Sequence, residues 1–263
     1  MSDPGRTREG ARIGLKEGGV SFFFLMSLLV FAGAVYELGI GRGGAIGVFV
    51  LVFVGWIISL CLHEWGHAVV AWYGGDRSVA ERGYLTLNPI RYANPLFSII
   101  LPLAFLAMGG IGFPGGAVYV NRSALKSSAW SSAVSAAGPA MNVLCLVLLA
   151  LVLRFAPLSD PLAGGLAFLA FLQTTAIILN LLPVPGLDGF GIIESLFPAN
   201  ERAAIASIGG FVSIAFLVVL YSAPSLFTPL WNAALTICGF LGVREGDIAN
   251  GDDLFRFWTS GPG

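Results

Sequence analysis

Apolar positions along this chain come in long unbroken runs rather than in the alternation of a half-buried strand. They fall at roughly Val20–Ile40, Ala45–Tyr73, Pro95–Ile111, Ser131–Arg154, Leu162–Leu182 and Ala203–Tyr221. About 20 consecutive apolar residues is what an α-helix needs to cross the hydrocarbon core of a bilayer. The pattern predicts an all-α polytopic membrane protein with about six transmembrane helices. The third run is short and sits among Gly and Pro, so it is expected to be re-entrant. After it, the glycines and proline of Gly109–Gly116 break the helix and Ala117–Val120 has strand-like composition, which predicts a re-entrant, β-like loop. A further apolar stretch, Ser225–Leu241, is either another short span or a segment lying along the interface.

The polar remainder divides the chain into residues 1–19, a cytoplasmic N-terminal segment; residues 20–242, a single transmembrane domain; and residues 243–263, a polar tail expected to be exposed. Val20–Ile40 exceeds the apolar core of a cleavable signal peptide and is read as a retained first span. No stretch between runs is long enough for an inserted soluble domain of ordinary size. Arg6, Arg8, Arg12 and Lys16 precede the first span, which places the N-terminus in the cytoplasm by the positive-inside rule. The second run then ends on the cytoplasmic side, in agreement with Arg77, Arg82 and Arg91 after it. Arg122 and Lys126 also belong inside if the third run turns back, and Arg202 follows the fifth run on its return; Arg42 and Arg154 are the minority left outside.

Composition sharpens this reading. Hydrophobic residues make up 56% of the 263 and charged residues only 11%, where soluble domains carry roughly 25% charged residues. A net charge of -1 leaves no basic field for nucleic acid. Cys61, Cys145 and Cys238 all lie inside apolar stretches, and such an odd, scattered set argues against a disulfide framework.

One polar constellation interrupts the second run: Leu62-His63-Glu64-Trp65-Gly66-His67. Histidines four apart on a helix differ by one turn and about 40°, so both imidazoles can face one metal ion. The intervening glutamate can then reach a water at that metal and take its proton, which is the physical content of a His-Glu-x-x-His motif. A chance match of two helix-end histidines and a glutamate facing water is the bland alternative. It is disfavoured here because a charge near the centre of a span costs on the order of 2.5–3.5 kcal/mol, which a bound metal offsets. A catalytic zinc takes three protein ligands and keeps a fourth position open. The chain has no third histidine, and Cys61 lies about 200° around the helix from His63. Asp160 and Glu37 fall on the opposite side of the membrane in the topology above. Asp188 ends the fifth run on the same side as the histidines, and Pro183 and Pro185 let it turn inwards. Its alternative role is a cap for the following helix, Gly189–Phe197. The predicted metal ligands are therefore His63, His67 and Asp188, with Glu64 as general base and Zn²⁺ as cofactor.

Together these elements resemble the site-2 protease family of intramembrane zinc metalloproteases (peptidase family M50). That family carries His-Glu-x-x-His in one transmembrane helix and Leu-Asp-Gly in a later one, here Leu187-Asp188-Gly189. Gly138-Pro139-Ala140-Met141-Asn142 is similar to its Gly-Pro-x-x-Asn, and Asn180 with Pro183 to its Asn-x-x-Pro. Leu85-Thr86-Leu87-Asn88-Pro89, then Pro95, resembles a stretch of a subgroup without large soluble inserts. The likeness covers roughly residues 45–195. It departs from many of that subgroup at Arg91-Tyr92-Ala93-Asn94, where a His-Asp pair is missing, and it shows neither a PDZ insert nor a nucleotide-binding (CBS) tail.

The resemblance implies hydrolysis of a peptide bond within or near a transmembrane segment of a membrane-protein substrate, the lipid bilayer as surroundings, and an active site nearer the cytoplasmic side. Two readings stand for Asn142 and Asn180: an amide that binds the substrate carbonyl or oxyanion, or an interhelical hydrogen bond that holds the bundle. Ala117–Val120 likewise reads either as a strand edge that pairs with an extended substrate or as a buried connection. Proteolysis of this type has two competitors. A zinc-binding pseudoprotease or transporter is disfavoured by the presence of Glu64, by a single histidine pair and by the lack of inverted repeats. A membrane zinc protease acting on lipidated or soluble C-termini typically takes glutamate as third ligand, unlike Asp188.

Overall fold

The computed structural model describes residues 22, 25–34, 44–87 and 118–259. Along them run α1 (Leu25–Ala34), α2 (Ala45–Gly74), α3 (Ser78–Glu81), α4 (Ser128–Phe155), α5 (Asp160–Asn180), α6 (Asp188–Ile193), α7 (Ala199–Ser222), α8 (Thr228–Phe240) and α9 (Glu245–Phe255). Short 3₁₀ turns cover Arg122–Ala124, Glu194–Leu196 and Pro224–Phe227. α2, α4 and α5 are long and apolar enough to cross a membrane. Ser207–Leu220 and Ser225–Phe240, bent by 99° to one another, add a fourth if they form one broken span. Three of the six expected spans thus appear as such. Part of Val20–Ile40 (residues 20, 21, 23, 24 and 35–40) and all of Pro95–Ile111 lie outside the described residues, as does Gly109–Ala117.

α2, α4 and α5 pack on one another in all three pairings. In the apolar windows of α2 and α5, 67% of residues are buried inside the protein, against 28% for α4, so α4 is the outermost of the three. Their shared core includes Val48, Val52 and Trp56 of α2, Leu146 and Ala150 of α4, and Phe168, Leu169 and Leu172 of α5. Away from this core, α4 exposes Leu144, Val147, Leu148, Leu151 and Phe155 in an apolar stripe.

Two segments depart from expectation. The residues from Val243 onward, expected to be an exposed tail, include α9, which packs on α5 and α2 and buries Val243, Ile248, Gly251 and Phe255. The reason is an apolar spacing hidden in a polar composition: Ile248, Gly251 and Phe255 recur at three and four residues, one face of a helix. Val118–Asn121 is not a strand, and no strand occurs among the described residues. Its first and last amides, those of Val118 and Asn121, are taken by side-chain carboxylates instead of a neighbouring strand.

Candidate metal centre

The C-terminal half of α2 holds His63, Glu64 and His67 in the interior, at 7%, 3% and 8% exposure. α4 crosses at this level, and Gly138 makes the crossing possible: a Cβ there would overlap Nε2 of both His63 and His67. Gly66 of α2 plays the reciprocal part, since a Cβ on it would come 2.9 Å from the Ala137 carbonyl oxygen. Small residues at a helix crossing let backbones approach closely, and here they make room for two imidazoles.

Asp188 arrives from the far end of α5. That helix stops at Asn180, and Pro183 and Pro185 prevent its continuation. Gly186 turns the chain with φ +98°, a conformation L side chains rarely adopt, and it packs on Ser213 of α7. Ser213 Oγ lies 2.8 Å from the Pro185 carbonyl and donates to it, which ties this loop to α7. Leu187 is extended, and Asp188 opens α6. Its carboxylate does not cap that helix but reaches the histidines, with Oδ2 3.2 Å from His63 Nε2 and Oδ1 3.3 Å from His67 Nε2. The two Nε2 atoms are 3.0 Å apart. One ligand atom from each of the three residues falls within 4.8 Å of the others.

The far nitrogens of both rings are engaged. His67 Nδ1 donates to the Val134 carbonyl at 2.7 Å, and His63 Nδ1 meets Asn142 Oδ1 at 2.5 Å. With both Nδ1 atoms as donors, both Nε2 atoms present lone pairs to one point that also faces a carboxylate. Such a convergence of acceptors suits a cation, and two histidines with one carboxylate is a common catalytic zinc set. The residues present therefore fit a metal ion.

Glu64 and the strap that crosses it form the next layer. Glu64 Oε2 accepts from the Val118 amide at 3.0 Å. Three residues on, the Asn121 amide donates to Asp76 Oδ2 at 2.7 Å, while Asp76 Oδ1 takes the Ser78 amide and hydroxyl at 3.0 and 2.7 Å. The strap is pinned again where the Lys126 amide donates to the Gly74 carbonyl at 2.8 Å. Arg122 then crosses to the Asp188 side. It pairs with Glu194 at 3.0 Å and donates to Ser131 at 2.5 Å and Ser135 at 3.2 Å. Ser132 Oγ donates to the Ile192 carbonyl at 2.6 Å, so α4 also fastens the end of α6.

These walls enclose a cavity of about 310 Å³ lined by His63, Glu64, His67 and Asp188, with Val118, Val120, Arg122, Asn142 and Asn180 around them. Sequence reasoning brings forward His63, Glu64, His67, Asp188, Asn142 and Asn180, and the structure gathers all six about this cavity. It separates the two asparagines. The Asn142 amide is consumed by His63 and by Gln173 Oε1, at 2.8 Å from its Nδ2. The Asn180 amide has no hydrogen-bond partner among the described residues. Sequence reasoning misses Asp76, Gln173 and Arg122. Gln173 is discoverable as a polar residue within an apolar run, and Asp76 as a carboxylate beside the Gly74-Gly75 stop of α2; nothing local marks Arg122.

No family model and no solved structure matches the chain. Among curated proteins it is similar to "Putative zinc metalloprotease Rip2" of Mycobacterium tuberculosis (strain ATCC 25618 / H37Rv), at 47% identity over 215 residues, 81% of this chain and 82% of that protein. The protein of the same name from Mycolicibacterium smegmatis is 47% identical over 219 residues, 82% of this chain and 83% of its own. "Putative zinc metalloprotease YwhC" of Bacillus subtilis is 35% identical over 185 residues, 66% of this chain and 81% of its own.

Proposed function

We propose that the chain, which belongs to the family of the proteins named "Putative zinc metalloprotease" Rip2 and YwhC, is an intramembrane zinc metalloprotease of the site-2 type. It hydrolyses a peptide bond within or near a transmembrane segment of a membrane-protein substrate. The observation that carries this reading is the convergence of His63, His67 and Asp188 beside the Glu64 carboxylate, all lining one cavity. A pure binding protein has no use for a carboxylate held there, which is why hydrolysis is preferred over metal storage or transport.

His63, His67 and Asp188 would hold the zinc. When bound, the metal supplies Lewis acidity that polarises the scissile carbonyl and eases loss of a proton from water. Glu64 takes that proton and later returns it to the leaving amine. A helical peptide bond is shielded by its own hydrogen bonds, so the substrate segment must become extended. Val118 and Val120 line the cavity next to Glu64, which supports an extended segment lying along the strap. The available amide of Asn180 supports its assignment to the substrate carbonyl, whereas Asn142 serves the metal ligand.

The apolar lengths of α2, α4 and α5 and the outward stripe of α4 support a multi-pass protein surrounded by lipid. Arg77, Arg82, Arg122 and Lys126 gather at the Asp188 end of α2, against Arg154, Arg244 and Arg256 towards its other end. By the positive-inside rule this supports a catalytic centre nearer the cytoplasm.

Zinc content of detergent-purified protein tests the ligand set. About one zinc per chain is expected for wild type, none for His63→Ala with His67→Ala, and a sharp loss for Asp188→Ala. Full retention in Asp188→Ala would remove it from the set. Single-span membrane proteins co-reconstituted in vesicles then test the reaction: wild type cuts within an apolar segment, and Glu64→Gln loses on the order of 10²–10⁴-fold in rate while keeping zinc. Undiminished cleavage by Glu64→Gln would overturn the mechanism.

A further inference from the structure

The two metal-facing histidines are held by partners of different kinds. His67 Nδ1 faces a backbone carbonyl, which can only accept, so its proton must sit on Nδ1. His63 Nδ1 faces a side-chain amide, and an amide can turn either oxygen or nitrogen towards it. If Asn142 offered its NH₂ instead, His63 would carry its proton on Nε2 and could not bind a metal through that atom. Something must therefore decide which way Asn142 points.

The deciding contacts run through buried polar groups of three helices. Ser59 Oγ donates its one proton to the Trp56 carbonyl at 2.8 Å, which leaves the oxygen as an acceptor. Gln173 Nε2 donates to that oxygen at 2.7 Å, so Gln173 Oε1 points away from it. Asn142 Nδ2 donates to Gln173 Oε1 at 2.8 Å, so Asn142 Oδ1 faces His63. Each direction follows from the one before, and the relay ends with the proton on His63 Nδ1 and a lone pair on Nε2. Gln173 is fully buried, and Ser59 and Asn142 are each 4% exposed, so no solvent competes for these bonds.

From this relay we infer that Gln173 is a positioning residue for the metal centre: through Asn142 it fixes the tautomer and ring orientation of His63. The inference rests on the metalloprotease reading above. Outer partners of ligating histidines commonly contribute about 10–100-fold in metal affinity.

The test is zinc affinity by chelator competition, with thermal unfolding of the metal-free protein, on wild type, Gln173→Met, Gln173→Glu and Ser59→Ala. Gln173→Met keeps length without an amide and is expected to weaken zinc by about 10–100-fold. Gln173→Glu keeps an oxygen that accepts from Asn142 and is expected to lose less zinc affinity than Gln173→Met. Ser59→Ala removes the polarity anchor, opens little space and is expected to weaken zinc measurably. Unchanged affinity in Gln173→Met, or equal loss in Gln173→Met and Gln173→Glu that tracks their unfolding temperatures, would reduce Gln173 to a packing residue. Should both Gln173 variants fail to fold, unchanged zinc affinity in Ser59→Ala would overturn the relay. A wild type that binds no zinc would undo the metalloprotease reading itself, whereas a wild type that binds zinc beside indifferent variants undoes only the relay.

Discussion

One missing methyl group leaves room for the candidate metal centre. At position 138 a Cβ would overlap the Nε2 atoms of His63 and His67, so Gly138→Ala is expected to push α4 away or turn both rings. Either response removes zinc; the check is zinc content beside the unfolding temperature, and a Gly138→Ala protein with one zinc per chain would contradict the geometry. Asn180 tests the division of labour between the two asparagines. If its amide meets the substrate oxyanion, Asn180→Ala lowers the cleavage rate by about 10²–10³-fold, as loss of one such donor does elsewhere, with zinc content intact. Equal loss of zinc and rate would instead make it a structural residue. At this scale the gathering of the candidate residues was largely legible in the sequence, because two histidines and a glutamate inside an apolar run are costly to bury unless a metal ion offsets them. What stayed illegible was the use of each amide: Asn142 and Asn180 look alike as letters, and only the position of Gln173 and His63 about one of them tells them apart.

Among elements, the strap Val118–Asn121 shows most clearly where pattern reading stops. Its β-branched composition suggests a strand, yet its amides are held by Glu64 and by Asp76, 54 and 45 residues away in the chain. Composition carries no trace of such partners. The three long helices were readable because length and hydropathy are properties of the segment itself, and α9 was misread because its apolar face occupies only three positions of a polar stretch. Asp76 is buried at 1% exposure and satisfies three donors on two elements. Replacing it with alanine leaves the Asn121 amide without its acceptor, a cost of about 1–3 kcal/mol. Limited proteolysis is expected to cut Asp76→Ala faster within residues 118–126, with zinc content retained; an unchanged digestion pattern would show that the other anchors suffice.

At the scale of the molecule, the aromatic packing around α9 and the candidate metal centre lie towards opposite ends of α2 and α5. Phe255 of α9 is 1% exposed and packs against Phe49 at 5.1 Å and Phe168 at 5.5 Å between ring centroids, near the start of both helices. Phe255→Ala is expected to cost about 3–5 kcal/mol, seen as a lower unfolding temperature in detergent, while zinc per folded chain stays at the wild-type value. Loss of zinc from the folded variant would mean that the two ends are coupled.

The relay from Ser59 through Gln173 also sets a timetable for biogenesis. Ser59 and Gln173 are separated by 114 residues, which a ribosome at about 5–20 residues per second takes roughly 6–23 s to add. During that interval α2 is already made, with two histidines and a glutamate in an apolar run, but α5 and Asp188 do not yet exist. On the proposed reading, the His63–His67–Asp188 cluster is complete only once α5 and the loop after it have been added, and a nascent chain cut short before Asp188 lacks one of the three proposed ligands.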